Sequence, residues 1–69
     1  MICRYVTSSN LREVCYDNAT ATLDITFHSG STYRYSGVPQ AVHAGLMQAP
    51  SHGEYFAQHI KDKYPYRKL

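Results

Sequence analysis

From Thr22 to His28 the chain alternates, with Leu23, Ile25 and Phe27 on one side and Thr22, Asp24, Thr26 and His28 on the other. A period of two marks a strand with one buried face. Thr32 to Ser36 alternates again, Tyr33 and Tyr35 together and Arg34 opposite, and Ser29-Gly30 between the two runs makes a hairpin. Loop length decides where the tyrosines point. A two-residue loop would set Ile25 across from Arg34. A three-residue loop, His28-Ser29-Gly30, puts glycine where a G1 bulge needs a left-handed residue. It pairs Ile25 with Tyr33, Leu23 with Tyr35, Thr26 with Thr32 and Asp24 with Arg34, leaving only Phe27–Ser31 unmatched. Cross-strand pairs of this kind contribute about 0.2–1 kcal/mol each. The pairing therefore predicts that Tyr33 and Tyr35 share the apolar face.

Upstream, Arg12 to Asp17 reads as another strand, joined to the first by a turn at Asp17-Asn18-Ala19-Thr20. That turn sets Val14 opposite Leu23 and Tyr16 opposite Ala21. Ser8-Ser9-Asn10 is a turn or strand entry, and Met1 to Val6 a short extended edge. Downstream the period changes. Val38, Ala41, Val42, Gly45, Leu46 and Ala49 fall on one helical stripe, with Pro39 at the first helical position and Pro50 ending the run. Ser51-His52-Gly53-Glu54 is a capping box, and Phe56 and Ile60 stand one turn apart behind it. Strands at about 12–17, 21–28 and 31–36 and helices at about 39–49 and 52–63 give a three-stranded antiparallel meander followed by two helices. The helices pack on one face of the sheet, an α+β fold in a single domain spanning 1–69.

Charge sharpens this picture. Of 69 residues, 17% are charged and 43% hydrophobic, which excludes a disordered charged tail. Up to Gly53, Arg4, Arg12 and Arg34 balance Glu13, Asp17 and Asp24; beyond it, Lys61, Lys63, Arg67 and Lys68 against Glu54 and Asp62 supply the whole net charge of +2. No apolar run approaches a membrane span, and the N-terminus lacks the pattern of a signal peptide. Cys3 and Cys15 form no CxxC pair and match no zinc spacing, so they read as reduced thiols of a cytoplasmic protein.

The histidines offer little chemistry. His28, His43, His52 and His59 show no ligand pair at i, i+4 and none lies beside a cysteine, so all four read as solvated and no metal or cofactor is expected. No nucleophile, base and orienting group converge, which argues against an enzyme. Seven tyrosines are the richer set. Tyr33 and Tyr35 resemble a base-stacking platform, but the register turns them under the helices. Tyr64-Pro65-Tyr66-Arg67-Lys68, preceded by Lys61 and Lys63, interleaves aromatics with cations and suits a phosphate backbone with stacking support. Packing of Tyr64 and Tyr66 back onto the core is an equal alternative.

Taken together, Ser8-Ser9-Asn10-Leu11, Tyr16-Asp17, Leu23, Phe27, Gly30, Tyr33-Arg34-Tyr35, Val38-Pro39, Ala49, Ser51, Gly53, Tyr55-Phe56, Ile60 and Tyr64-Pro65-Tyr66 resemble the KTSC domain over nearly the whole chain. That family occurs as small bacterial or phage proteins and at the C-terminus of some lysyl-tRNA synthetases, and no function is established for it. The resemblance makes Tyr33 and Tyr35 the family's Tyr-x-Tyr hallmark, read here as structural. The family often carries a basic residue where this chain has His52. The expectation is a non-catalytic module that contacts RNA of a tRNA-like kind, with Lys61, Lys63, Arg67 and Lys68 on phosphates and Tyr64 or Tyr66 stacking. The alternative is a protein-interaction domain or homodimer.

Overall fold

The alternating segments do form strands, and two more strands join them at the edges. The computed structural model describes all 69 residues: β1 Ile2–Tyr5, β2 Leu11–Asp17, β3 Thr22–Phe27, β4 Thr32–Tyr35, α1 Gln40–Gln48, α2 His52–His59 and β5 Tyr66–Lys68. The sheet has five antiparallel strands in the order β1-β2-β3-β4-β5, rather than three. The short extended edge expected at Met1 to Val6 is β1. The C-terminal segment returns to the sheet as the edge strand β5, pairing Tyr33 with Lys68, Arg34 with Arg67 and Tyr35 with Tyr66. Two backbone bonds flank that pairing: Ser36 N–H to Pro65 O at 2.9 Å and Leu69 N–H to Thr32 O at 2.8 Å.

The β3–β4 hairpin has the three-residue loop. Phe27 N–H bonds Ser31 O, Gly30 stands at φ 96°, and every cross-strand pair from Leu23–Tyr35 to Thr26–Thr32 is as expected. The β2–β3 register differs. Val14 lies opposite Ile25, and Tyr16 opposite Leu23, two residues from the expected pairing. The loop is longer because Ala21 takes the left-handed region (φ 54°) and carries the chain out of the turn. A slip of two preserves the face, so Val14 and Tyr16 still enter the core.

That core is Leu11, Val14, Tyr16, Leu23, Ile25, Tyr35, Val38, Leu46, Phe56 and Ile60, gathered between one sheet face and the helices. Tyr16 donates its hydroxyl to Val38 O at 2.6 Å. In α2, Ser51 Oγ accepts from Glu54 N–H at 3.2 Å, as a capping residue should. Pro39 is the N-cap of α1, one position before its expected place. The second helix stops at His59, short of the expected 63: Ile60 already leaves helical geometry (φ −120°), and Asp62 beyond it turns left-handed (φ 64°). Lys61 and Lys63 thus lie in a turn rather than in a last helical turn. Where α1 and α2 cross, Gly45 packs against the Tyr55 ring; a Cβ there would meet the Tyr55 hydroxyl and stand 2.7 Å from Cζ.

The opposite face is polar. Asp24, 7% exposed, takes a bidentate grip from Arg34, both bonds at 2.9 Å. That bond and the attraction to Asp24 raise the Arg34 pKa. On the same face Cys3 lies directly opposite Cys15, with Cα atoms 4.0 Å apart, and the two form a disulfide. This corrects the reduced-thiol reading. Strand register, not sequence spacing, brings the sulfurs together.

Candidate binding cleft

Beyond the core, the apolar face opens into a cleft of about 570 Å³ between α2 and the β3–β5 end of the sheet. This is within the size range of small-ligand sites. Phe27 from β3 and Tyr33 and Tyr35 from β4 form its floor. Phe56 of α2 covers one side, Tyr66 of β5 stands at the edge, and Lys61 and Asp62 lie in the turn between. The rings meet mostly edge to face or tilted: Phe27–Tyr33 at 5.9 Å, Phe27–Phe56 at 5.5 Å, Tyr35–Phe56 at 5.6 Å and Tyr35–Tyr66 at 5.6 Å. Such offset geometry is what the ring quadrupoles favour.

The phenol groups of the cleft lack protein partners. Tyr16 spends its hydroxyl on Val38, but those of Tyr33, Tyr35 and Tyr66 bond no protein atom, and no side-chain oxygen is buried unsatisfied, so they reach water. Burial, then the phenols of Tyr66 and Tyr33 and the Asp62 carboxylate, pushes the Tyr35 phenol up to about 12. It therefore stays a donor at neutral pH. Asp62 joins no ion pair; Arg34–Asp24 is the only one in the molecule.

The structure divides the residues singled out from sequence. Tyr33 and Tyr35 share the apolar face; Tyr35 is buried at 4% exposure and Tyr33 half-buried. Tyr64 is half-buried and packs on the core, whereas Tyr66 is 57% exposed. Lys61 borders the cleft, and Lys63 is exposed in the turn. Lys68 lies on the cleft side of β5 opposite Tyr33, while Arg67 faces the polar side opposite Arg34. The cleft itself was not anticipated. Its signal, the pairing of Tyr35 with Tyr66, depends on a strand that sequence periodicity does not reveal.

Three of the histidines are not simply solvated. His43 stacks on Tyr16 at 4.4 Å, and burial, then Arg4, lowers its pKa. His52 Nδ1 donates to Leu46 O at 2.8 Å, joining α2 to the end of α1, and His28 Nε2 donates to Ser8 O at 2.8 Å. His59 lies exposed against Tyr55. Metal-ligating atoms meet at one place, Cys3, Glu13 and Cys15 within 4.8 Å. Joined to one another, the two sulfurs have no thiolate to give a metal. No helix is long and apolar enough to cross a membrane.

Residues 7–64 match the KTSC domain. The chain is 44% identical over 61 residues to a lysine–tRNA ligase of Trichormus variabilis and 41% identical over 61 to one of Nostoc punctiforme. Each match covers 88% of this chain but 11% of the ligase, so the chain spans about a tenth of these relatives' length. An uncharacterized protein of Stutzerimonas stutzeri is 40% identical over 57 residues, covering 83% of this chain and 80% of its own. The crystal structure of a KTSC domain protein from Yersinia pestis superposes with a TM-score of 0.95 at 37% identity, over 99% of this chain and 96% of that one.

Proposed function

The chain belongs to the KTSC domain family, and on that premise we propose that it is a non-catalytic module that binds RNA of a tRNA-like kind through its C-terminal segment. One observation carries the reading: exposed Tyr66 stands at the lip of an aromatic cleft, with Lys61 on the rim and exposed Lys68 on the same face of β5, while Arg67 adds a cation on the other face of that strand. Tyr66 offers a stacking face, and Lys61, Lys63, Arg67 and Lys68 neutralise phosphates. Tyr64, packed on the core, is the poorer stacking candidate. Relatives that are lysine–tRNA ligases support a tRNA-like partner. Such a partner puts the domain's work in the cytoplasm, where the disulfide would be reduced, so binding is measured with and without reductant.

A filter-binding titration with bulk tRNA tests this. Affinity should fall steeply between roughly 50 and 200 mM salt. Each of Lys61→Ala, Lys63→Ala, Arg67→Ala and Lys68→Ala should lower the salt slope by about one. Tyr66→Ala should weaken binding by about 1–3 kcal/mol with the slope unchanged. A salt-independent affinity sinks the reading.

A second reading, self-association or docking of a protein partner, draws on the other edge of the sheet. There β1 exposes Ile2 (73%) and Tyr5 (79%) with Met1 beside them, an apolar edge of the kind that recruits another strand. Sedimentation at two concentrations discriminates; a strict monomer at both counts against self-association.

A further inference from the structure

We infer that the cleft takes a single unstacked base of the bound RNA and prefers guanine, read by Asp62 together with the phenols of Tyr33 and Tyr35. The inference rests on the RNA reading and adds the identity of the base.

Shape comes first. Exposed Tyr66 and half-buried Phe27 and Tyr33 offer ring surface to a space of small-ligand size, backed by the buried rings of Tyr35 and Phe56, an environment suited to the splayed, stacked bases of single strands. Lys61 on the rim suits the phosphate of the nucleotide whose base lies inside. The polar groups then choose among bases. An ionised carboxylate only accepts hydrogen bonds. Guanine presents two neighbouring donors on its Watson–Crick edge, N1–H and the N2 amino group, which one carboxylate accepts together, with O6 next to them as an acceptor. Adenine and cytosine each present one amino group beside an acceptor nitrogen, which a carboxylate repels, and uracil presents a lone N–H between two carbonyls. Asp62 lines the exposed side of the cleft in no ion pair, and the phenols of Tyr33 and Tyr35 in the same lining donate to an acceptor such as O6. Asp62 holds the left-handed region (φ 64°), which asparagine adopts as readily as aspartate, so the substitution below leaves the backbone in place.

The test compares two RNA hexamers by fluorescence anisotropy at fixed salt: oligouridylate carrying one central guanosine, and oligouridylate carrying one central adenosine. The wild-type protein should bind the guanosine hexamer about tenfold more tightly or better. Asp62→Asn replaces two acceptors with one acceptor and one donor, which fits adenine's N6/N1 edge and guanine's N1–H/O6 edge alike and so removes the discrimination. It should erase the preference while the salt slope with bulk tRNA stays within about one of its wild-type value. Equal affinity for the two hexamers, or an Asp62→Asn variant that keeps the guanosine preference, overturns the inference. If tRNA still binds with steep salt dependence in those cases, the RNA reading survives without it. If neither tRNA nor either hexamer binds, both fall.

Discussion

The two edges of the sheet are fastened by different means. At one edge, β1 is held to β2 by backbone pairing and by the Cys3–Cys15 disulfide, close in sequence and covalent. At the other, β5 is held to β4 by three residue pairs and by Tyr66 leaning on Tyr33 and Tyr35, after a long excursion through both helices. The locked edge exposes Ile2 and Tyr5 but encloses no cavity. The non-covalent edge borders the cleft. Robustness and chemistry are thus placed apart: the covalent clamp stands at the edge without a cavity, and the cleft is bordered by the edge held without a covalent bond.

The strongest way to break this arrangement is at the ring both sides of the cleft rest on. Tyr35→Ala removes the support of Phe56 and Tyr66 and should cost roughly 3–5 kcal/mol in chemical denaturation, with amide exchange of β5 accelerating more than that of β1. Opening the other edge should cost less. Cys3→Ser with Cys15→Ser frees a closure of sequence separation 12, worth about 3 kcal/mol by loop entropy. Melting with reductant should show a matching loss in the wild type, while tRNA affinity, a property of the far edge, stays unchanged. A parallel loss of affinity would join the two edges into one unit.

The gentlest probe is pH, to which the edges should respond at opposite ends. At the cleft, the Tyr35 phenol is raised in the folded state to about 12 from an unfolded value near 10. Its stabilisation is complete below pH 10 and is lost as pH climbs toward 12; Tyr35→Phe should flatten that alkaline loss. At the β1 side, His43 is lowered by burial, then Arg4. The unfolded chain then binds more protons below about pH 6.5, so stability falls as pH drops from there to the folded pKa and then levels. His43→Gln should remove this acid slope, as followed by urea midpoints between pH 7 and 5.

The same contrast explains what the sequence made legible. The β3–β4 hairpin could be read in full, because Gly30 and the Asp24–Arg34 pair both select one register. The β2–β3 register was off by two because its left-handed position is occupied by Ala21, which carries no turn signal. The disulfide was hidden because Cys3 meets Cys15 only through the pairing of a strand without clear periodicity. The cleft was hidden twice over. Three residues after a proline give no strand pattern, and apparent helix continuity through Lys63 concealed the turn that carries Lys61 and Asp62. Of the tail, sequence supplied the residue types, while the distinction between Tyr64 and Tyr66 depended on tertiary packing.

The crossing of α1 and α2 has a consequence for how this sequence can change. Gly45 has no side chain because the Tyr55 ring occupies the space one would fill. Alanine at 45 gains about 1 kcal/mol of intrinsic helix preference, yet it collides with the ring. A larger residue at 45 becomes acceptable only with a smaller one at 55. The two positions are therefore sterically coupled, each setting which substitutions the other tolerates.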